Sequence, residues 1–161
     1  DFFHGGGLDI CYLGFAQIDK EGNVNSSRFG KNLTGCGGFI DISQNTKKVV
    51  FCGGFSTKTL MSFNDEGIDI EYPGKHKKFV EKVQQITFNG KYAAQKGQEV
   101  LYVTERAVFK LTTEGIELIE IAPGVDLEND VLAMMEFKPI IKNVKQINTS
   151  IYKPALMQMA L

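Results

Sequence analysis

Residues 34–55 read TGCGGFIDISQNTKKVVFCGGF and contain the clearest indication of the fold class. A glycine-rich loop at residues 35–38 precedes residues 39–44, which have the pattern of a short helix. Residues 49–52 form a short apolar run, which is typical of a buried strand. A further pair of glycines follows at positions 53 and 54. The order of loop, helix and buried strand predicts an α/β sheet whose strand ends carry the functional site.

The segments on either side extend this sheet. Residues 8–18 are apolar and strand-like, and a turn follows them at residues 19–23. Residues 62–70 have the pattern of two strands around an Asn-Asp-Glu-Gly turn. Three β-rich runs come later in the chain, at residues 99–104, 107–111 and 116–121. We therefore expect an α/β fold in which a sheet with flanking helices is followed by a β-rich C-terminal portion.

Three other segments have weaker patterns. Residues 75–88 fit a helix as well as a strand. Asp126 stands where a helix N-cap belongs, and apolar residues follow it at helical spacing. The residues after Pro139 show little pattern, and we expect them to pack along the surface as a tail.

Composition excludes several classes of protein. The chain has 161 residues with 18 basic and 19 acidic side chains, a net charge of −1, so it lacks the positive field that binds nucleic acid or an anionic membrane. No apolar run is long enough to cross a bilayer. The chain opens on Asp1 without an initiator Met or a signal peptide, which indicates the middle of a reading frame.

Cysteine and histidine offer little chemistry. The three cysteines, Cys11, Cys36 and Cys52, include no C-x-x-C spacing, and the two histidines are His4 and His76. A structural zinc site needs four closely spaced ligands, so we expect no metal site. Reduced, mostly buried thiols in a cytoplasmic protein are the favoured interpretation. A catalytic Cys–His pair is the less favoured interpretation, because no local feature of the sequence marks any of the cysteines as activated.

The glycine loop is the strongest candidate for a site. Gly35, Gly37 and Gly38 open the expected helix, so their backbone N–H groups would meet a ligand at the positive end of the helix dipole. Such donors bind a phosphate or stabilise an oxyanion. The loop lacks the ending of a P-loop and the spacing of a dinucleotide-binding fingerprint. The glycines at positions 5–7 are interpreted as a tight turn.

Charged residues are secondary candidates. The basic residues 75–78 are interpreted as a solvated turn, with a phosphate contact as the alternative. Lys58 allows the same two interpretations, but it follows shortly after the glycines that end a strand, where ligands often bind. Asp9 and Asp41 are interpreted as positioning groups in preference to a carboxylate pair. Residues 105 and 106, Glu-Arg, predict a local ion pair or a turn.

Four long motifs, taken together, carry a resemblance to a known family. They are GGGLDICYLGFAQIDKEGNVNSSRFG at residues 5–30, LTGCGGFIDISQNTKKVVFCGGF at 33–55, GKHKKFVEKVQQITFNG at 74–90 and VLYVTERAVFKLTTEGIELIEIAPGVDLENDVL at 100–132. In this order they resemble family I CoA-transferases, of the single-chain acetate/propionate type whose halves correspond to the α and β subunits of 3-oxoacid CoA-transferases. The resemblance implies a NagB/RpiA/CoA-transferase-like fold. Residues 1–139 would be the C-terminal part of the β-like catalytic domain, and residues 140–161 a C-terminal tail.

The resemblance also implies a reaction. A glutamate attacks an acyl-CoA thioester, an enzyme-bound glutamyl-CoA thioester forms, and a short-chain carboxylate takes over the CoA. The family's glutamate lies in a Glu-x-Gly motif that would precede this chain, so the chain alone would be inactive. Three Glu-Gly pairs occur here, beginning at Glu21, Glu66 and Glu114, but we reject them as nucleophiles because they lie in predicted turns.

Site residues and partners follow from the same resemblance. Gly38, with Gly37, would supply backbone donors to the oxyanion, and Gly35, Gly37, Gly38 and Lys58 would contact CoA. We expect acyl-CoA and CoA as substrates without a permanently bound cofactor, the N-terminal part of the same enzyme as a partner, and a homo-oligomer. Two alternatives stay open: an acyl-CoA hydrolase on the same scaffold, and a non-catalytic α/β domain that acts in binding or assembly.

Overall fold

The computed structural model describes residues 5–153, which form a mixed sheet with two short helices. The strands are β1 (Ile10–Gly14), β2 (Gln17–Asp19), β3 (Val24–Asn25), β4 (Arg28–Phe29), β5 (Asn32–Leu33), β6 (Lys48–Cys52), β7 (Ser56–Thr57), β8 (Leu60–Asn64), β9 (Gly67–Tyr72), β10 (His76–Lys77), β11 (Phe79–Val80), β12 (Glu99–Val103), β13 (Ala107–Thr112), β14 (Gly115–Ile121) and β15 (Ile140–Gln146). The helices are α1 (Phe39–Asn45) and α2 (Gly90–Lys96), and short helical turns cover Leu127–Val131, Leu132–Met134 and Thr149–Tyr152.

Six strands make the central sheet, in the order β1-β6-β12-β13-β14-β15. β1, β6 and β12 run parallel, β12 to β14 form an antiparallel meander, and β15 is parallel to β14. Parallel neighbours need long connections, and α1 and α2 lie in the segments that lead into β6 and β12. The predicted α/β fold with a β-rich C-terminal portion is confirmed.

Aromatic side chains fill the core beneath the parallel strands. Phe51 of β6 is fully buried, and its ring stacks on Phe39 of α1 and on Tyr102 of β12, with centroids 5.8 and 5.6 Å away. Phe55, just beyond β6, stacks on Phe79 at 4.7 Å. This packing fixes β6 and the residues that follow it, because large buried rings tolerate little displacement.

Helix α2 was not predicted from the sequence. Its seven residues, GKYAAQK, are too few and too polar to show an apolar period. Asn89 caps it by accepting a hydrogen bond from the Tyr92 amide at 2.9 Å, and Gly97 ends it with φ +75°. Its first residue, Gly90, packs so tightly that a Cβ there would lie 2.3 Å from the Glu21 carbonyl oxygen.

The structure changes three local predictions. Residues 75–88 hold β10 and β11 and no helix, which resolves that ambiguity. Asp126 caps as predicted, accepting from the Asn129 amide at 2.7 Å, but a π-turn and a 3₁₀-turn follow it in place of an α-helix. Residues 140–146 of the expected surface tail form β15 at the sheet edge. Most side chains of β15 are exposed, so backbone pairing defines the strand without a burial pattern in the sequence.

Both ends of the chain extend beyond the described residues. Residues 154–161 of the predicted tail, and His4, lie outside the described residues. The domain boundary at residue 139 stays a prediction, although β15 joins the central sheet. Within residues 5–153, no helix has the length and apolar composition needed to span a membrane.

Candidate functional site

The carboxyl ends of three parallel strands lie side by side. β1, β6 and β12 end at Gly14, Cys52 and Val103, and the register places these three residues next to one another. The chain beyond each strand supplies Phe15, Gly53 and Glu105. In open α/β sheets, ligands bind outside the carboxyl ends of the strands. This edge of the sheet is therefore the expected position of a ligand site.

Gly53 is closely packed at this edge. A Cβ at this position would lie 2.9 Å from Cε1 of Phe15 and 3.2 Å from Nζ of Lys78. The Lys78 ammonium itself lies 4.0 Å from the centroid of the Phe15 ring, within the range of a cation–π contact. Glycine is needed here for space, because any side chain would displace the aromatic ring or the ammonium group.

A cleft of about 820 Å³ opens beside these residues. Residues 15–17, 28–30 and 76–78 line it, together with Gly54, Ser56, Thr57 and Gln84. Among the described residues, the wall contains three Lys or Arg side chains and no Asp or Glu. A cleft of this size and charge suits a small anionic molecule with an apolar part.

Lys78 is the most deeply placed cation of the cleft. Burial lowers the pKa of its ammonium group, and the Glu105 carboxylate opposes that shift. Both oxygens of Glu105 are engaged elsewhere: Oε2 accepts from the Phe55 amide at 2.8 Å, and Oε1 accepts from Nε of Arg106 at 3.2 Å. No acceptor among residues 5–153 hydrogen-bonds the Lys78 ammonium, so its donors are available to a ligand.

Arg106 organises the loop behind the cleft. Its side chain is fully buried and donates to backbone oxygens of Asp130 and Pro73 at 2.8 and 2.5 Å, and to the hydroxyl groups of Ser56 and Thr59. Burial lowers the pKa of the Arg106 guanidinium, while Glu105 opposes this change. The predicted Glu-Arg ion pair is confirmed, and it lies in the interior, where an unpaired charge would be costly.

Asn25 organises the opposite wall. Its side-chain amide donates to Oε1 of Gln17 at 2.8 Å and to the carbonyl oxygen of Arg28 at 2.7 Å. Its Oδ1 accepts from the amides of Ser27 and Arg28, both at 3.1 Å. The side chain is thus fully satisfied, and it fixes the turn that carries Arg28 into the cleft.

The glycine loop has the backbone that its sequence predicts. Gly35 and Gly37 have φ values of +77° and +51°, which favour glycine, and Gly38 caps α1 with φ −81°. Within the described residues, the amides of Gly37 and Gly38 have no hydrogen-bond acceptor. Helix α1 has only seven residues. Its dipole therefore contributes less to anion binding than these two amide donors do. The loop begins beside the cleft, since the Thr34 amide donates to the Ser27 carbonyl oxygen at 3.0 Å, but it does not line the wall.

The remaining predicted site residues lie outside the cleft wall. Lys58 is exposed and is the only described residue other than glycine with a positive φ, +57°; it follows Thr57 of the wall without joining it. Asp9 pairs with Lys47 at 2.7 Å, and both side chains are exposed. Asp41 lies in the first turn of α1. Asp9 and Asp41 thus retain their interpretation as positioning groups.

The cysteine thiols and the Glu-Gly pairs are poor candidates for a metal site or a nucleophile. Among the described residues, all three cysteines are free and no group of side chains suits a metal ion. Only Cys11 is buried, so the expectation of mostly buried thiols is wrong. Burial raises the pKa of Cys11, and partial desolvation raises the pKa of Cys52 although that residue is exposed; both shifts disfavour a thiolate nucleophile. The glutamates at positions 21, 66 and 114 lie in turns, as predicted.

Phe15 and Arg28 were not predicted as site residues from the sequence, and neither was the partly buried position of Lys78. One signal was available for Lys78: it directly precedes Phe79, an apolar residue at the start of a two-residue buried strand. Arg28 had no comparable signal, because the contacts that place it come from Asn25 and from the distant Gln17.

Comparison with known proteins finds relatives that are named as enzymes. No protein-family model matches the chain. The chain is 46% identical to the acetate CoA-transferase YdiF of Escherichia coli K12 over all of its length, and 48% identical to the caffeate CoA-transferase of Acetobacterium woodii over 94% of it. The chain spans about a third of these relatives, 31% and 30% of their lengths.

Solved structures agree with these relatives. The acyl-CoA transferase YdiF apoenzyme of E. coli O157:H7 matches the whole chain with a TM-score of 0.97 at 45% identity, over 32% of its own length. The same enzyme, solved as a thioester complex with CoA, matches with a TM-score of 0.96. The decarboxylase AibA/AibB matches with a TM-score of 0.66 at 18% identity, which shows the fold alone. The fold is therefore shared by enzymes of different activity.

Proposed function

This chain is homologous to a segment of the CoA-transferases, about a third of their length, and we propose that it forms part of the acyl-CoA site of an acyl-CoA:carboxylate CoA-transferase. The observation that carries this proposal is the homology across the whole chain to proteins named as CoA-transferases. The thioester complex of one such enzyme with CoA supports a covalent route. The substrates would be a short-chain acyl-CoA and a carboxylate.

The proposed reaction has four transfers. The carboxylate of a glutamate attacks the thioester carbonyl, and the C–S bond breaks to release CoA thiolate and leave a mixed anhydride. The thiolate then attacks the glutamyl carbonyl, which releases the donor acid and gives a glutamyl-CoA thioester. The acceptor carboxylate attacks that thioester and releases the thiolate again. The thiolate finally attacks the acceptor carbonyl, giving the new acyl-CoA and the free glutamate. Atoms and electrons balance without a redox partner.

The chain's own residues would serve the oxyanion steps. Each attack forms a tetrahedral oxyanion, which needs donors already in place. The amides of Gly37 and Gly38 suit this task, because the loop leaves them without an acceptor among the described residues. In this proposal Gly38 is the principal donor, and Gly35 and Lys58 lie on the CoA side. The nucleophilic glutamate would come from the N-terminal part of the same enzyme.

The exposed edge of β1 supports a partner segment of that kind. Among the described residues, β1 is an edge strand of the central sheet and its Tyr12 is 67% exposed; Leu33 of the hairpin β4–β5 is 72% exposed. Apolar side chains at an unpaired edge favour a covering element. We place the N-terminal part of the same enzyme there, and we expect the complete enzyme to be a homo-oligomer.

The test uses the full-length protein that contains this chain. The protein is incubated with acetyl-CoA, reduced with borohydride and mapped by mass spectrometry, with a sample without acetyl-CoA as control. A reduced glutamate outside residues 1–161, together with CoA transfer that requires propionate, is the expected result. Release of CoA without an acceptor would identify a hydrolase. A protein that is neither modified nor able to exchange CoA between carboxylates overturns the proposal.

A further inference from the structure

We propose that the Lys78 ammonium binds an oxyanionic group of the substrate, a carboxylate or a phosphate, in the cleft at the carboxyl ends of β1 and β6. The inference rests on the proposed function for its substrates, since an acyl-CoA carries phosphates and the acceptor carries a carboxylate. It adds a binding residue outside the glycine loop, and it assigns a substrate group to the cleft.

The charge of the cleft is the first argument. Arg28, Lys77 and Lys78 contribute cations to its wall, and no carboxylate from the described part of the chain lines it. The chain as a whole carries a net charge of −1, so this wall is locally unlike the rest of the molecule. Cations concentrated in a cleft raise the local concentration of an anion and orient it on arrival.

The Lys78 ammonium also has N–H donors that no acceptor among the described residues uses. Lys77 donates to the Met135 carbonyl oxygen at 3.1 Å and is thereby drawn toward the protein. The Lys78 ammonium lies over the Phe15 ring and has no hydrogen-bond acceptor among residues 5–153, and the nearby Glu105 has both oxygens occupied by other donors. Withdrawing an ammonium from water without a hydrogen-bonding partner is costly. An oxyanion in the cleft would supply that partner.

Backbone and ring contacts hold Lys78 in place. Its carbonyl oxygen accepts from the Ile18 amide at 2.8 Å, and the next residue, Phe79, is fully buried. Gly53 provides the space in which the ammonium and the Phe15 ring meet. A side chain positioned by its backbone and by a neighbouring ring loses little further freedom when it binds a ligand.

The shape of the cleft favours more than a bare anion. Its volume, about 820 Å³, exceeds that of an inorganic ion, and Phe15 and Phe29 add apolar surface. A carboxylate with its alkyl chain and a phosphate attached to a larger molecule both satisfy this description. The two sources share the chemistry that Lys78 recognises, so the experiment separates them.

The test compares Lys78→Met with Lys75→Met in the full-length protein that contains this chain. Lys75 is an exposed lysine of the same basic segment and lies outside the cleft wall, so it controls for loss of charge. Titration calorimetry with sodium propionate and with inorganic pyrophosphate measures binding without any need for turnover. Lys78→Gln is a second neutral variant, used in case Lys78→Met does not fold.

The neutral Lys78 variant is expected to bind one of the two probes about 10- to 100-fold more weakly, because it loses a charge-assisted hydrogen bond. Lys75→Met is expected to bind both probes as the wild type does. Weaker propionate binding identifies the carboxylate, and weaker pyrophosphate binding identifies the phosphate. Unchanged binding of both probes, or no binding of either to the wild type, overturns the inference. If the wild type binds a probe but is not labelled by borohydride and does not exchange CoA, the proposed function fails while Lys78 keeps its assignment.

Discussion

The Glu105 carboxylate accepts a hydrogen bond from the Phe55 amide at 2.8 Å and so joins the end of β12 to the turn that follows β6. The same carboxylate holds Nε of Arg106, whose other nitrogens reach the loop of residues 56–59 and the turn at Asp130. One buried ion pair thus determines the position of the segment that forms one wall of the cleft.

Glu105→Gln tests this ion pair. The amide has one acceptor oxygen, so either the Phe55 amide or Nε of Arg106 loses its partner, and the buried guanidinium loses its counter-charge. We expect the free energy of unfolding to fall by about 1–3 kcal/mol. Urea denaturation measures it. Glu114→Gln is the matched control: its partner Lys142 is 3.6 Å away, both side chains are more than half exposed, and the change should stay within about 0.5 kcal/mol. Equal effects of the two variants would contradict the buried pair's importance.

Gly53→Ala tests the close packing at the strand end. The new methyl group would meet Cε1 of Phe15 at 2.9 Å, so the ring and the Lys78 ammonium must move. A loss of about 1–3 kcal/mol in stability is expected, with weaker binding of the probe that Lys78 recognises. Gly14→Ala, at the end of the neighbouring strand, is the control, because its Cβ meets nothing within 4 Å. Thermal unfolding measures the stability of both variants, and titration calorimetry measures their binding of the probe. If Gly53→Ala were as stable as Gly14→Ala, the close packing at Gly53 would be refuted.

Lys78→Met tests whether the ammonium serves binding or folding. Met keeps an unbranched apolar stem against the Phe15 ring and removes a poorly hydrated charge. We therefore expect Lys78→Met to melt no lower than the wild type at pH 8. A residue retained only for structure would give the opposite result, a lower melting temperature in the variant.

The difference in stability between the wild type and Lys78→Met is expected to change with pH in a defined direction. Burial lowers the pKa of Lys78 below its ordinary value of 10.5, so near that pH the unfolded chain binds more protons at this group than the folded chain does. Wild-type stability should then rise relative to Lys78→Met as the pH increases from the folded-state pKa toward 10.5. Melting temperatures of both proteins between pH 8 and pH 10.5 measure this. A difference that does not change with pH, or that moves the other way, would contradict the shift.

An ester in place of the peptide bond that precedes Gly38 tests the proposed oxyanion donor. Glycolic acid at position 38 replaces the N–H group by oxygen and leaves the loop without an added side chain. In the full-length protein, kcat for CoA exchange should fall about 10²- to 10³-fold. Gly38→Ala keeps the amide, and its Cβ makes only an ordinary contact, 3.5 Å from Cδ1 of Ile42, so it should retain most of the activity. Full activity of the ester protein would exclude this amide as a donor.

The sequence predicts the sheet better than it predicts the cleft. β6, α1 and the meander from β12 to β14 are local patterns of apolar residues and turn residues, and all appear near the expected positions. β15 and α2 escaped prediction because pairing and capping define them more than apolar pattern does. The cleft depends on long-range contacts, such as Phe15 with Lys78 and Phe55 with Glu105, that no single segment encodes.

The glycine loop lies between these cases. Its positive φ values follow directly from the glycines at positions 35 and 37. The roles of Gly35, Gly37, Gly38 and Lys58 stay predictions. A pattern of residues predicts the backbone conformation of a loop, whereas the substrate that approaches it depends on surfaces contributed from elsewhere.

The order of strands in the central sheet has a consequence for the order of folding. β12, β13 and β14 are joined by tight turns, whereas β6 pairs with β1 and β12 only after long connections have closed, as between Val49 and Val100. Closing a long loop costs more chain entropy than forming a hairpin, so the meander should gain its amide protection first. The parallel strand ends then assemble last, and the cleft exists only once the slowest contacts of the molecule have formed.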